Sequence, residues 1–479
     1  MADYSPGQLI TTTPNSPGFG GQSIDSLRRT FGIGDTVHEL APETSIFFSY
    51  LSKLGKKPTD ETVWKPMEYR SQWQRRNFSC NFHDGNNGAD DVAGLKIQVD
   101  YNHQGKVVSG AKYSPVFIVP GQVLRINGEV WKVANDATIT YITDSTGVTA
   151  TGEKGTTAGD VVIIASASVV LVSDTSKTYD VTNGSATSVG GQVIGSQWAE
   201  ASGAPAGWRD ELSDVEFFTQ IFKTSVPLMS GSMQATRYRG YANEWKRVYG
   251  EHVKSHKMDL ENAFLFGYGK YTSADVRNSW GIMPFIQNMG GKFYNIDYDG
   301  AAVTTPAEGV AGAAFPWTYD GIVDVMDDFM NWESGNSGQK LVLTSRKVIN
   351  TLHKMGDNSF LDNSLTGGAS GLFRSNLEVK SSSFMPVDIS SISTSWGSLN
   401  FIAHPLFRND MEDYAVAIDL RHVSLRPLAG NGHSRDTFVE TNIQENDIDG
   451  RKDQIITEAG LQVLFPETHA ILKFGVDND

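Results

Sequence analysis

The chain has 479 residues, of which 39% are hydrophobic and 10% aromatic, so it is long enough for several folded domains and is not disordered as a whole. Its net charge of −15 opposes binding to nucleic acid over a broad surface, because attraction to phosphates is the main sequence-independent term in such binding. The single cysteine, Cys80, excludes an intrachain disulfide framework and a cysteine-rich metal site. The sequence shows neither a signal peptide nor a run of about 18 apolar residues, which favours folding in a reducing cytoplasm without a membrane span.

Residues 1–40 form a predicted N-terminal arm, rich in Pro, Gly, Ser and Thr, that cannot bury a core of its own. Near its end the arm has three apolar residues at helical spacing and two arginines on the opposite face: Ile24, Leu27, Phe31, Arg28 and Arg29. We expect this segment to fold when it docks on a neighbouring chain, with the arginines meeting acidic groups or nucleic acid.

Residues 41–57 are predicted to form a short amphipathic helix that ends at Gly55. Residues 62–81 have an extended pattern, and Pro66 favours an edge strand. This stretch carries a basic patch with an aromatic residue inside it: Arg70, Trp73, Arg75 and Arg76. The patch could stack a nucleic-acid base, but in an acidic chain a solvated or subunit-contacting strand is the favoured interpretation.

The segment 113–172 is predicted to be an inserted small β-barrel or sandwich, because short apolar strands alternate with turns. Asn127 and Gly128 form the two-residue turn of a predicted hairpin. Residues 173–207 are rich in Ser, Gly and Thr and are interpreted as a long connection.

One long amphipathic helix is predicted over residues 232–268, where apolar residues recur every three or four positions. At 1.5 Å per residue such a rod would be about 55 Å long. Trp245 and Phe264 lie on its apolar face, so the helix is expected to pack on a sheet or on a neighbouring subunit.

After this helix the pattern alternates between helix and strand and then becomes mostly strand. A helix is predicted over 316–333, a buried strand over 340–343, and a helix that Ser345 caps and that ends at Gly356. The predicted class is therefore α+β with an inserted all-β module.

Two patterns could bind a metal, but neither is complete. His252 and His256 are four residues apart on the long helix, as in some zinc sites, yet no third ligand is evident, and core histidines are favoured. Residues 295–306 are spaced partly like a calcium loop but lack the final glutamate, so a turn is favoured, as it is for Asp447 and Asp449. No nucleophile, cofactor or phosphate-binding motif emerges, and the sequence predicts no enzyme, no cofactor and no metal.

The order of these segments resembles the capsid proteins of tailed bacteriophages. The resemblance rests on the long helix, on LVLTSRKVINTLHKM, LEVKSSSFMP, AVAIDLRHVSLRPL and ITEAGLQV after it, and on PETSIFFSYLSKLGKKPTDETVWKP near the start. It implies the Hong Kong 97-type capsid fold, with a spine helix, a peripheral domain, an axial domain and an extended loop that holds the β insertion.

The resemblance also implies the domain boundaries. They are an arm at 1–40, the start of the peripheral domain at 41–62, the extended loop at 63–214, the peripheral domain with the spine helix at 215–280, the axial domain at 281–399, and returning strands at 400–479.

Two function classes follow from these patterns. The first is a major capsid protein of the virion that assembles in the host cytoplasm with copies of itself, as pentamers and hexamers, into an icosahedral shell around double-stranded DNA. Scaffold, portal and decoration proteins would be further partners. The alternative is a receptor-binding, carbohydrate-binding or decoration protein of a virion, built on the β insertion. Candidate interface or structural residues are those of the arm and the basic patch, together with Trp245 and Phe264.

Overall fold

The computed structural model shows an α+β protein with two main sheets and a separate all-β module. It describes residues 45–70, 76–85, 92–106, 111–143, 159–205, 207–209, 211–236, 243–273, 276–297, 313–316, 319–330, 338–352, 379–381, 388–394 and 396–474. Within these ranges the α-helices are Ile46–Leu54, Gly231–Ala235, Glu244–Phe266, Ile282–Asn288, Tyr319–Phe329 and 346–352. Short 3-10 turns lie at Ser166–Ser168, Asn409–Met411, Leu420–His422 and Pro466–Thr468.

The first main sheet has four antiparallel strands and lies against the helix Glu244–Phe266. Its long central strand, Gln454–Val463, pairs with all of the others: Gln220–Ser225, Val423–Pro427 and Phe438–Glu440. Phe222 of this sheet packs edge-on against Phe264 of the helix, with ring centroids 6.0 Å apart. The apolar face of the long helix is therefore covered by a sheet, as its sequence pattern predicts.

The second main sheet is mixed and has eight strands. In spatial order they are Ala313–Pro316, Lys292–Asp297, Ala470–Phe474, Tyr414–Ile418, Gln339–Thr344, Ser398–Ala403, Asp388–Ser393 and Val379–Ser381. Leu341 and Leu343 lie in the core shared with the long helix, whereas Val342 lies in a second core with Phe329 on the other face. This alternation follows the two-residue period of a strand, and both faces of the sheet are covered.

The β module is an antiparallel sheet of eight strands with its own core. In spatial order the strands are Ile139–Thr143, Asp160–Ala165, Gly94–Gln98, Asn77–His83, Val189–Ser196, Gln122–Ile126, Glu129–Val133 and Val169–Leu171. The predicted hairpin is present, with positive φ at both Asn127 (47°) and Gly128 (84°), as a type I′ turn requires.

Five short two-stranded pairs complete the strand inventory of the described residues. They are Val63–Trp64 with Phe217–Phe218, Met67–Glu68 with Ser213–Asp214, Met229–Ser230 with Gly450–Arg451, Lys270–Ser273 with Val276–Asn278, and Ala429–Gly430 with His433–Ser434.

The long helix differs from the predicted span 232–268. The structure has a helix of 23 residues, Glu244–Phe266, preceded by a separate helix of 5 residues, Gly231–Ala235. The backbone is extended at Thr236, and the side chain of Asn243 begins the long helix by accepting a backbone N–H three residues further on, at 3.1 Å. The prediction of one uninterrupted rod is wrong because Asn243 is an N-cap.

The module also extends beyond the predicted segment 113–172. Val189–Ser196, interpreted from the sequence as part of a connection, lies near the centre of the sheet between Asn77–His83 and Gln122–Ile126. Its glycines explain the error, since Gly190, Gly191 and Gly195 give this strand the composition of a linker. At Gly191 a Cβ would lie 2.3 Å from the ring of Phe78, so the packing of the module requires a glycine there.

These boundaries predict which fragment folds alone. A fragment of residues 76–209 contains all eight strands and the core between them, so it should give a β-type circular dichroism spectrum and a cooperative melt. The fragment 113–172 lacks three of the central strands and should remain unfolded. A cooperative melt of the shorter fragment would contradict the extended boundaries of the module.

Gly460 marks a close approach between the main sheet and the chain entering the module. A Cβ at this position would lie 2.4 Å from the carbonyl oxygen of Phe218 and 2.5 Å from the ring of Trp64. We expect Gly460→Ala to lower the free energy of unfolding by about 1 to 3 kcal/mol in a urea titration. The control is Gly250→Ala in the long helix, where a Cβ meets nothing within 4 Å and stability should rise by up to about 1 kcal/mol. If both substitutions changed the free energy of unfolding by the same amount, this explanation would be contradicted.

Candidate assembly interface

The loop that carries the β module leaves the main sheets through a two-stranded stem. Two short antiparallel pairs form this stem: Val63–Trp64 with Phe217–Phe218, and Met67–Glu68 with Ser213–Asp214. The rings of Trp64 and Phe217 stack with centroids 5.9 Å apart, and Phe217 stacks in turn on Phe285 at 5.6 Å. The base of the stem is thus anchored in the main core by aromatic packing.

The inner face of the stem is polar and buried. Arg70 is 5% exposed and Glu68 1%. The Arg70 guanidinium donates to Ser213 Oγ at 2.7 Å, to Glu68 Oε2 at 2.7 Å and to Glu467 Oε2 at 3.1 Å, and its Nε donates to Glu467 Oε1. Burial opposes the charge on Arg70, but the paired carboxylates of Glu467 and Glu68 outweigh it and raise its pKa above the ordinary value.

The outer face of the stem carries three exposed apolar side chains. Met67 is 66% exposed, Tyr69 51% and Leu212 53%. At this level of the stem Glu68 and Arg70 therefore face inwards, whereas the outer face presents these apolar side chains beside the exposed charges of Lys65, Asp214 and Glu216. Contiguous exposed apolar side chains of this kind mark protein interaction sites.

The structure separates the residues of the predicted basic patch. Arg70 is buried within the chain, and the interpretation of its strand as solvated or subunit-contacting stays a prediction. Arg76 is half-buried at the start of the module, and its carbonyl oxygen accepts the N–H of Val193 at 3.1 Å. Trp73 and Arg75 lie outside the described residues, as do the arm residues Ile24, Leu27, Arg28, Arg29 and Phe31.

The two predicted residues of the long helix are both buried. Phe264 is fully buried in the main core. Trp245 is 9% exposed, lies in a small cluster with Val226 and Met229, and has the guanidinium of Arg451 over its ring at 4.9 Å. Both side chains therefore stabilise the position of the helix.

Sequence reasoning could not find the partners of Arg70. Glu467 lies 397 positions away in the chain, and Glu68 and Ser213 carry no motif. The same holds for a buried contact between Glu261 of the long helix and His404, in which Glu261 also accepts the backbone N–H of Phe47 at 2.9 Å. Only the fold brings these groups together.

Of the two histidines at zinc-like spacing, His256 is buried, as the core interpretation expects. Both ring nitrogens of His256 lie 2.8 Å from threonine hydroxyls, those of Thr224 and Thr457, and burial lowers its pKa. Within the described ranges, no group of three or more His, Cys, Asp or Glu side chains could hold a metal ion. Most of the calcium-like segment, from residue 298 onwards, lies outside the described residues. Cys80 is buried, which raises the pKa of its thiol to about 12.

None of the helices that the structure describes has the length and apolar character needed to cross a membrane.

Several solved capsid structures are similar to this chain. The holo-SrpI encapsulin complex from Synechococcus elongatus PCC 7942 is 11% identical, covering 55% of this chain and 77% of that chain, with a TM-score of 0.32. The capsid of the cyanophage P-SCSP1u is 10% identical, covering 58% and 79%, with a TM-score of 0.35. The procapsid of satellite phage P4 with its size determination protein is 13% identical, covering 60% and 81%, with a TM-score of 0.35. No curated protein matches the chain.

The family comparison covers almost all of the sequence. The model of the SU10 major capsid protein family matches residues 21–475, which include the stem, the β module, the long helix and both main sheets. The family match implies that this chain has a structural rather than a catalytic role. The chain therefore belongs to the SU10 major capsid protein family, and its identification from the sequence as the structural major capsid protein of a phage shell is confirmed.

Proposed function

We propose that copies of this chain form the pentamers and hexamers of an icosahedral shell that encloses double-stranded DNA. The observation that carries the proposal is the family match over residues 21–475. It favours a shell-forming subunit over the receptor-binding alternative, because the match includes both main sheets as well as the module. The net charge of −15 is consistent with a container that encloses DNA without sequence-specific binding.

The domain assignment is part of the proposal. The helix Glu244–Phe266 with the four-stranded sheet corresponds to a spine helix and a peripheral domain, and the mixed sheet to most of an axial domain. The stem and the β module correspond to the extended loop. In this assignment Ile46–Leu54 begins the peripheral domain, and its contact with the long helix supports that placement.

The outer face of the stem is the proposed contact with a second copy of the chain. Its three exposed apolar side chains, Met67, Tyr69 and Leu212, are presented by a ribbon whose inner face is fixed by Arg70. Because the hydrogen bonds of Arg70 fix this inner face, the ribbon should lose little conformational entropy on binding, which suits an assembly contact. Scaffold, portal and decoration proteins remain proposed partners, and assembly in the host cytoplasm is the proposed route to the virion.

Negative-stain electron microscopy of the purified full-length protein tests the proposal. We expect closed shells, or rings of five and six copies, at concentrations at which an isolated binding module would remain monomeric. A monodisperse monomer under all assembly conditions, with binding to cell-surface glycans, would instead support the receptor-binding alternative.

The arm provides a further test. Residues 1–35 are rich in Pro, Gly and Ser and carry the amphipathic segment with Ile24, Leu27 and Phe31. We expect their removal to leave a soluble subunit or ring with an unchanged melting temperature, but to prevent stable closed shells. Size-exclusion chromatography of the truncated and full-length chains compares their assembly, and a thermal melt compares their stability. Shells of normal yield from the truncated chain would exclude the arm from assembly.

A further inference from the structure

A continuous two-stranded ribbon joins the two main sheets. Tyr414–Ile418 continues through the turn Leu420–His422 into Val423–Pro427, and Gln454–Val463 continues through the turn Pro466–Thr468 into Ala470–Phe474. The two chains pair with each other on both sides of these turns. Both strands therefore turn at the same level, and we call residues 419–422 and 464–469 the junction.

Contacts between the two turns hold the junction together. Leu464 donates its backbone N–H to the carbonyl oxygen of His422 at 2.9 Å. The backbone N–H of Asp419 donates to His469 Nδ1 at 3.1 Å, and the rings of His422 and Phe465 meet edge to face with centroids 5.0 Å apart. A change of angle between the two sheets must alter these contacts, because the turns are the points at which the ribbon bends.

Phe465 in the junction has a strained backbone. Its φ of 52° and ψ of 71° place a non-glycine residue in the left-handed region, which persists only where the surroundings hold it. Two residues of the stem, Glu68 and Arg70, contact Phe465 and help to stabilise this conformation. Glu68 Oε1 accepts the backbone N–H of Phe465 at 2.8 Å, and the Arg70 guanidinium lies over the Phe465 ring at 5.4 Å.

A buried lysine of the mixed sheet also donates hydrogen bonds to the junction. Lys340 is 1% exposed, and its Nζ donates to Asp419 Oδ2 at 2.8 Å and to the carbonyl oxygen of Thr468 at 3.0 Å. Arg70 holds Glu467, the residue before Thr468. The short turn Pro466–Thr468 is thus held between the loop stem and the mixed sheet.

We propose that the junction is a latch that couples the direction of the loop stem to the angle between the two main sheets. The stem cannot tilt away while Glu68 holds Phe465 and Arg70 holds Glu467. A half-broken arrangement is unfavourable because it would leave a buried charge without its partner. The coupled elements consequently have two discrete arrangements, latched and released, and a contact that moves the stem changes the angle between the sheets.

Two measurements on the full-length, unassembled chain test the latch, and neither depends on shell formation. The first is hydrogen exchange at the backbone amides of residues 464, 465 and 467–469. The second is the distance distribution between spin labels on Glu129→Cys in the module and Asp327→Cys on the helix Tyr319–Phe329, both of which are exposed. The native Cys80 is buried and should not compete for the label.

The test variant is Arg70→Met, which keeps the length of the side chain and removes its charge. We expect exchange at the same backbone amides to accelerate about tenfold or more and the label distances to broaden, with no change of protection in the module. Glu68→Gln keeps an acceptor for the backbone N–H of Phe465 and should give a smaller change in the same direction. This second variant keeps the test possible if Arg70→Met does not fold. The control is Lys65→Met, which breaks an exposed ion pair with Glu216 on the same stem and should leave both measurements unchanged.

Faster exchange without broader label distances would overturn the coupling, since the junction would then open locally while the loop kept its direction. Unchanged exchange in Arg70→Met and Glu68→Gln would overturn the latch itself. An equal response to Lys65→Met would also overturn it, because the effect would then belong to any change in the stem.

Discussion

Replacing Phe264 by alanine should remove about 3 to 5 kcal/mol from the free energy of unfolding of the main core. The side chain is fully buried beneath the long helix and packs edge-on against Phe222. The substitution loses the apolar burial and leaves a cavity that a helix anchored at both ends cannot close. Because folded domains are stable by only about 5 to 15 kcal/mol, much of the protein should be insoluble or fail to assemble.

A urea titration of the unassembled chain measures this effect. The β module provides an internal reference, because it has a separate core and its transition should not move. Lys257→Ala on the exposed face of the same helix is the matched control and should change stability by less than about 0.5 kcal/mol. If the two variants unfold at the same urea concentration, the long helix does not depend on the core proposed for it.

The sequence pattern predicted the elements whose signals are local. The helix Tyr319–Phe329 buries Ile322, Val325, Met326 and Phe329, the apolar residues expected from their spacing. Ser345 accepts the backbone N–H of Val348 at 3.2 Å and caps the next helix, as predicted. In each case the decisive residues lie within a few positions of one another, so periodicity and capping chemistry determine the outcome.

The predicted boundaries of the long helix and of the β module were wrong because local sequence signals conflict at both places. Asn243 can cap a helix or lie within one, and the apolar period that continues through it favoured one long rod. Gly190, Gly191 and Gly195 argue against a strand, yet pairing on both sides places them near the centre of the module. Tertiary pairing outweighed local propensity at these positions.

The candidate interface could be predicted only in part. Arg70 drew attention because arginines and a tryptophan lie close together in the sequence, but its role depends on Glu467 at the far end of the chain. The orientation of the two faces of the stem also has no local signature. Met67 and Tyr69 alternate with Glu68 and Arg70 as in any half-buried strand, and only the fold shows that the face with Glu68 and Arg70 points inwards.

The outer face of the stem carries the largest expected effect on assembly. In a triple variant, Met67→Ser, Tyr69→Ser and Leu212→Ser, the three exposed apolar side chains would be replaced by small polar ones. The subunit should still fold, because each substitution at an exposed position usually changes its stability by about 0.5 kcal/mol or less. The Arg70 cluster on the inner face is left intact.

Assembly of this variant should be strongly weakened. Burial of apolar surface contributes about 25 cal/mol per Å², so three such side chains should supply about 3 kcal/mol of each contact between subunits. A loss of this size corresponds to a rise of roughly a hundredfold in the concentration at which shells form. Light scattering against protein concentration, with electron microscopy of the products, measures the threshold.

The matched control is Val181→Ser, which removes a single exposed apolar side chain from the β module. Val181 is 76% exposed, more than any of the three stem residues, so a general loss of surface hydrophobicity would affect both variants. We expect the control to assemble at the threshold of the unmodified chain. If the triple variant also forms shells at that threshold while its melt is unchanged, the stem is not an assembly contact. Its exposed apolar face would then be free to bind another component of the particle.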